Sequence, residues 1–239
     1  MSKTLSTICL IGGSALAGYS LARLLARRTL PAPTVQAALT RGSESSAIPI
    51  VGDFLMIDDA IEVAYALQEL QDRPVVLLLH TLGGPWFPAM QIARAVRRHG
   101  RVTALVPFFA LSAGTFIALA CQKIRMWPDA SLGPIDPQLG WISAHSHIKL
   151  REVKPVAEIE DRSILLSIEA QKALEETAAA ARELEVPERA LGRLLSSVNS
   201  HSHPISAREA VNLGLRVEIE EPNAAARRRV AALIAERVR

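Results

Sequence analysis

The segment from Val75 to Gln138 confines the chain to a narrow set of folds. It opens on an uninterrupted apolar run, Val75-Val76-Leu77-Leu78-Leu79, with the length and composition of a strand buried on both faces of a parallel sheet. The run ends in His80-Thr81-Leu82-Gly83-Gly84, and an amphipathic helix is predicted from about Pro88 to His99. A second strand, Val102 to Val106, leads through Pro107-Phe108-Phe109-Ala110-Leu111 into Ser112-Ala113-Gly114-Thr115 and an apolar helix reaching Cys121. A short strand near Lys123 to Trp127 follows. This alternation predicts an α/β fold of repeated βαβ units, with a parallel sheet and right-handed crossovers. Ligands of such sheets sit at the carboxyl ends of the strands. Both the Gly83-Gly84 turn and Ser112 fall at that edge.

The two strand–turn–helix units together supply the parts of an acyl-transfer site. A tetrahedral intermediate needs backbone N–H groups aimed at a developing oxyanion, beside an activated hydroxyl. Ser112 is the candidate nucleophile, and the backbone N–H groups of Gly83, Gly84 and Ala113 are the candidate oxyanion hole. Each piece also has an ordinary reading. Two glycines suit any strand–helix turn, because glycine adopts positive φ without steric cost. A serine before a helix is commonly a plain N-cap.

The next segment, Ala130-Ser131-Leu132-Gly133-Pro134-Ile135-Asp136-Pro137-Gln138, makes the pattern specific. The series HTLGG, FFALSAGTFIALA and SLGPIDPQ resembles the serine dehydrogenase proteinase family, a branch of the Clp/crotonase-fold peptidases related to signal peptide peptidase A. The resemblance runs from about Ile48 to Val217. It takes in Asp58-Asp59 at the start of the first helix, Lys154 before an acidic stretch, and a closing helix-to-strand element from Ser206 to Val217. It implies a Clp/crotonase-like fold and a serine endopeptidase acting on peptide or protein substrates as a homo-oligomer. The family's name does not imply dehydrogenation, since the chain carries no GxGxxG fingerprint.

The base is open among several residues. Membrane peptidases of the related fold carry a catalytic lysine at a comparable distance after the serine, and the resemblance places Lys154 in that role. A lysine serves as base when desolvation lowers its pKa. Lys149 is the near alternative, although Glu152, Glu158, Glu160 and Asp161 surround this stretch with negative charge. A histidine mechanism, as in the soluble Clp protease with its Ser-His-Asp triad, offers His147 or His201. His145 and His147 read as part of a polar loop. His201 stands where the family has the first residue of a His-Asp-aromatic-Pro sequence, but Ser202 and His203 replace the aspartate and aromatic. Leu82 is a second departure, since the family commonly has proline before the two glycines. Asp136, held between Pro134 and Pro137, either orients a base or caps its own turn, and the structural role is the favoured reading. His80, at a strand end, reads as a satisfied near-core histidine and not as a ligand.

Composition bounds the alternatives. With 49% hydrophobic but 4% aromatic residues, the core is packed by aliphatics and alanine. The net charge is +3, and arginines cluster at Arg23, Arg27 and Arg28 and again at Arg227, Arg228, Arg229, Arg237 and Arg239. No aromatics interleave them, so they read as membrane-proximal or solvated faces and not as a nucleic-acid surface. Cys9 and Cys121 form no CxxC pair, no set of residues has metal-ligand spacing, and there is no P-loop. No cofactor or metal is expected.

Residues 1–28 form the predicted membrane anchor. Leu5 to Ala22 is uncharged and just long enough to span a bilayer. Arg23, Arg27 and Arg28 outweigh Lys3, which predicts a single-pass anchor in the cell membrane with the downstream domain in the cytoplasm. The rival is a signal peptide cleaved after Ala15-Leu16-Ala17. Residues 29–47, with Pro31, Pro33 and Gly42-Ser43-Glu44-Ser45-Ser46, read as a flexible linker. Residues 48–220 are the catalytic domain, and 221–239 a basic C-terminal helix. Within the domain, Asp58-Asp59 opens a helix to about Leu70 with Ile61, Ala64, Tyr65 and Leu67 facing inward. Ile164 to Glu183 is a long helix, and Pro187 begins another reaching about Val198. Two other functions compete with peptidase activity. One is a catalytically weak or inactive scaffold at the membrane, and the other is acyl-CoA chemistry that uses an oxyanion hole without a serine nucleophile.

Overall fold

The structure is a computed structural model that describes residues 46–196, 198 and 200–238. The expected anchor and most of the expected linker therefore lie outside the described residues. Among the described residues, no helix is long and apolar enough to cross a membrane.

Five parallel strands form the centre: β1 (Ser46–Val51), β2 (Val75–His80), β3 (Val102–Val106), β5 (Lys123–Met126) and β10 (Val217–Ile219), in the order β1-β2-β3-β5-β10. Leu77, Leu78 and Leu79 are fully buried, as a strand covered on both faces requires. Leu77 pairs in register with Ala104, and Ala104 with Ile124. A smaller sheet stands at the carboxyl edge of the first, built from β4 (Phe109–Ala110), β6 (Ser131–Leu132) and β9 (Ile205–Ser206), with β4 and β6 parallel and β9 antiparallel to β6. A hairpin of β7 (Gln138–Leu139) and β8 (Ile142–Ser143) leaves this edge.

The first helix, α1 (Ile57–Glu69), differs from expectation in its phase. Ala60, Val63 and Leu67 are buried, whereas Ile61 and Tyr65 are exposed. The Asp59 carboxylate accepts the backbone N–H of Met56 at 2.6 Å, which fixes the helix start one residue before Asp58. The small Ala60 then turns toward α2 (Trp86–His99), against which α1 packs. α2 ends at Gly100 with φ 75°, after three basic residues that complement the helix dipole. α3 (Ala113–Ala120) is buried along its whole length and carries the candidate nucleophile at its N-cap.

The polar stretch expected as a loop is a helix, α4 (Ala144–Val153). Its one buried residue is Ala144, so it has no apolar stripe for a periodicity reading to find. It packs against α5 (Asp161–Glu183), which begins three residues before the predicted Ile164. α6 (Glu188–Leu194) stops short of Val198, and α7 (Ala207–Asn212) with β10 makes the predicted closing element. The basic C-terminal helix, α8 (Ala224–Val238), buries Val230, Leu233 and Ile234 and packs on β1. Its Arg227 guanidinium lies 5.8 Å from the centre of the Trp127 ring, so this cluster is partly tied to the domain.

Candidate active site

The chain beyond β2 continues alongside the chain beyond β4. Thr81 bridges Ala110, and the Leu111 N–H donates to the Thr81 carbonyl at 3.0 Å. Residues 81–84 thereby lie against residues 110–113. The two glycines sit where the backbones meet. A Cβ on Gly83 (φ 125°) would stand 2.8 Å from the Ser112 Cβ and 3.3 Å from the Ala113 nitrogen. On Gly84 (φ 155°) it would stand 2.4 Å from the Leu55 carbonyl oxygen. The turn is fixed by the Leu55 N–H donating to the Gly83 carbonyl (2.7 Å) and the Leu82 N–H donating to the Asp53 carbonyl (3.1 Å). The buried Thr81 hydroxyl accepts the Gly83 N–H at 3.2 Å. The sequence reading did not single out Thr81 for this role, although a threonine two residues before a glycine is a recognised turn signal.

Ser112 has φ 51° and ψ −117°, a conformation costly to any residue with a side chain, by about 1–3 kcal/mol. It occupies the N-cap of α3, yet its side chain makes no capping hydrogen bond. The plain N-cap reading therefore fails. A serine on a strained strand-to-helix turn has its hydroxyl displayed at the sheet edge and not folded back on the helix. Ser112 lines a cavity of about 270 Å³ together with Gly84 and Ala113. The N–H groups of those two residues donate to no acceptor among the described residues. Gly83 is not part of that lining, and its N–H is directed to Thr81. The remaining walls are mostly apolar, with Pro85, Trp86, Phe116, Ile135, Leu139 and Ala173.

Asp136 also lines the cavity, and it is 3% exposed. Three side chains hold its carboxylate. The Gln138 amide donates to Oδ2 at 2.9 Å, the Ser143 hydroxyl donates to Oδ2 at 2.8 Å, and His201 Nδ1 lies 2.7 Å from Oδ1. The loop carrying Asp136 is bound to the Ser112 helix, because Thr115 Oγ1 accepts the Gly133 N–H (2.9 Å) and donates to the Ala110 carbonyl (2.7 Å). The Ile135 N–H donates to the Leu194 carbonyl at 2.8 Å. Thr115 and Gln138 belong to the motifs of the sequence but Ser143 does not, and only the folded hairpin turns Gln138 and Ser143 toward Asp136.

The other candidate bases lie elsewhere. Lys154 is exposed at the C-terminal end of α4, and Lys149 is exposed and paired with Glu152 at 2.6 Å. His147 Nε2 is 3.0 Å from the Leu139 carbonyl, and His145 Nε2 is 2.6 Å from the Leu195 carbonyl. None of these four lines the cavity. The structure thus brings together Ser112, Gly84, Ala113 and Asp136, with His201 reaching the site through Asp136, and leaves Lys149, Lys154 and His147 outside it.

His80 is half-buried at the strand end as expected, but it is not fully satisfied. Its ring lies 4.1 Å from that of Phe109 and 5.7 Å from that of Phe108, and its buried Nδ1 has no hydrogen-bond partner among the described residues. Burial lowers its pKa from 6.5, against a smaller raising effect of Asp53. The unfolded chain therefore binds this proton more tightly than the folded one. His80 contributes stability above pH 6.5 that is lost as pH falls through its lowered folded value. His80→Phe is expected to flatten the acid side of a melting-temperature profile below pH 6.5 and leave the neutral side unchanged in slope. Burial also pushes the Cys121 thiol up to about 12, leaving it protonated and inert at neutral pH. Among the described residues no group of His, Cys, Asp and Glu side chains can hold a metal ion.

A ClpP-like SDH-type serine proteinase model matches residues 36–228. One uncharacterized protein of Methanocaldococcus jannaschii is 34% identical over 84% of this chain and 75% of its own length. A second from the same organism is 30% identical over 73% of this chain, which spans 62% of that protein's length. Among solved structures, ClpP1 from Listeria monocytogenes superposes with a TM-score of 0.54 at 16% identity, covering 75% of this chain and 94% of that one, a likeness of fold alone. With the family model running from before β1 into α8, the chain belongs to the ClpP-like SDH-type serine proteinases.

Proposed function

We propose that this protein is a serine endopeptidase that hydrolyses peptide bonds through an acyl-enzyme on Ser112. The observation that carries the proposal is the uncapped, strained Ser112 beside the unengaged N–H groups of Gly84 and Ala113 in one cavity. In this reading the Ser112 hydroxyl attacks the carbonyl carbon of a peptide lying across the cavity. The carbonyl oxygen then develops its charge between the Gly84 and Ala113 N–H groups, aided by the positive end of α3. Gly83 supports the hole by close packing and not as a donor. Trp86, Phe116 and Leu139 exclude water from the reacting bond, which strengthens those hydrogen bonds.

A Ser112–Lys154 dyad requires the lysine to move from its exposed place on α4 into the cavity. Asp136, with His201 behind it, already shares the cavity lining with Ser112. Hydrolysis of a fluorogenic peptide by the full chain tests both levels of the proposal. Ser112→Ala is expected to reduce turnover at least 100-fold. Lys154→Ala is expected to keep it within a few-fold of Lys149→Ala. A collapse specific to Lys154→Ala would restore the lysine dyad. Absence of any hydrolysis in the parent would favour the scaffold reading, to which Leu82 and the His201-Ser202-His203 segment lend support.

The same proposal places the protein at a membrane, through Leu5 to Ala22, with the Ser112 domain in the cytoplasm. Its support is the uncharged run followed by Arg23, Arg27 and Arg28. A C-terminal fluorescent fusion is expected to be bright, and a periplasm-dependent phosphatase fusion silent. An active phosphatase, or a mature N-terminus at Gly18, would contradict this topology.

A further inference from the structure

We infer that Asp136 is the group that takes the proton from Ser112, and that His201 is its positioning residue. The inference rests on Ser112 being the nucleophile. Among the described residues, two acidic side chains line the cavity, Asp136 and Glu176, and no basic side chain does. Glu176 is exposed on the outer wall, whereas Asp136 is 3% exposed and belongs to the loop fastened to the Ser112 helix through Thr115. A carboxylate that merely closed its own turn would be expected to bond neighbouring backbone N–H groups. Instead, Asp136 is held by side chains: Gln138 and Ser143, paired across the adjoining hairpin, and His201 from the distant loop before β9.

Such a cage fixes the carboxylate at the cavity wall and leaves acceptor capacity free, since each carboxylate oxygen has two lone pairs. As Ser112 Oγ forms its bond to the substrate carbonyl carbon, its proton passes to Asp136. That proton then goes to the leaving amine nitrogen as the C–N bond breaks. In the second half-reaction Asp136 takes a proton from the attacking water and returns it to Ser112 Oγ as the ester bond opens. The cycle ends with both groups as they began, and no further reactant is needed. The order of roles is the reverse of a Ser-His-Asp triad, with the carboxylate inside the cavity and the imidazole behind it.

The test is steady-state peptide hydrolysis by the full chain, paired with fluorophosphonate labelling and a thermal melt of each variant. Asp136→Asn keeps the size of the side chain and is expected to lower kcat at least 100-fold. Asp136→Ala is expected to regain activity on addition of formate, which fits the vacated space and supplies the missing carboxylate. Glu176→Gln is expected to lower kcat far less than Asp136→Asn does. His201→Asn retains an N–H for Asp136 and is expected to keep roughly a tenth or more of the parent kcat, whereas His201→Leu falls well below it with little change in KM. If Asp136→Asn does not fold, the two His201 variants and the Glu176 variant still decide the matter. Parent-like kcat in Asp136→Asn overturns the inference, as do indistinguishable His201→Asn and His201→Leu variants or a collapse confined to Glu176→Gln. A parent that neither hydrolyses peptide nor takes the fluorophosphonate would instead defeat the nucleophile reading beneath it.

Discussion

Gly84→Ala is expected to cost more than about 1 kcal/mol of stability and to abolish peptide hydrolysis in whatever protein folds. The added Cβ would stand 2.4 Å from the Leu55 carbonyl oxygen, a backbone atom that cannot move aside without disturbing the segment after β1. The backbone would also be held at φ 155°, where alanine is strained. Either response displaces the N–H that the cavity presents beside Ser112. Gly83→Ala separates the two effects. Its Cβ would press on Ser112 itself, at 2.8 Å from the serine Cβ, so the loss falls on the nucleophile's position. A melt and a peptide assay on both variants are the check. Activity near the parent's in a folded Gly83→Ala variant would mean that the close approach of the two turns is irrelevant to function.

Ser112→Gly is expected to abolish hydrolysis while raising stability by about 1 kcal/mol, because glycine removes the side chain that makes φ 51° costly. A serine kept for capping would give the opposite sign, since replacing a working N-cap by glycine never strengthens a helix. The sign of the melting-temperature change therefore discriminates between a functional and a structural serine. Strain retained at one residue, with no capping hydrogen bond from its side chain to compensate it, is the mark of a site shaped for something other than stability.

The parallel sheet and the placing of Ser112 were legible in the sequence because their signals are local. Val75 to Leu79 can only be a strand buried on both faces, and a serine after Val102 to Val106 has to emerge at the carboxyl edge. The Gly83-Gly84 turn was legible for the same reason. The phase of α1 was not, because Ile61 and Tyr65 satisfy a helical stripe as well as Ala60 and Val63 do, and the Asp59 cap decides between them. α4 escaped notice because a helix with one buried residue has no period to read. The surroundings of Ser112 were the least legible. Asp136 meets His201 across 65 positions of sequence, and a reading by spacing sees instead the residues nearer at hand, His147, Lys149 and Lys154. Those residues share a helix or its end with one another, outside the cavity lining. Glu176 reaches the cavity from α5, next to the buried Thr177.

The exposed aromatic rim has the same origin. Trp141 holds φ 68° at the tip of the β7–β8 hairpin and rests edge-on against Phe54 at 6.1 Å, beside the turn that carries Leu82. No single residue in that group announces itself in the sequence, and only the hairpin brings them near the segment that clamps Gly83.

Intact-mass analysis after treatment with a fluorophosphonate addresses the nucleophile most directly. One covalent adduct per chain, mapped by peptide fragmentation to Ser112 and absent from Ser112→Ala, is the expected result. An unmodified chain, or an adduct that persists in Ser112→Ala, would contradict it.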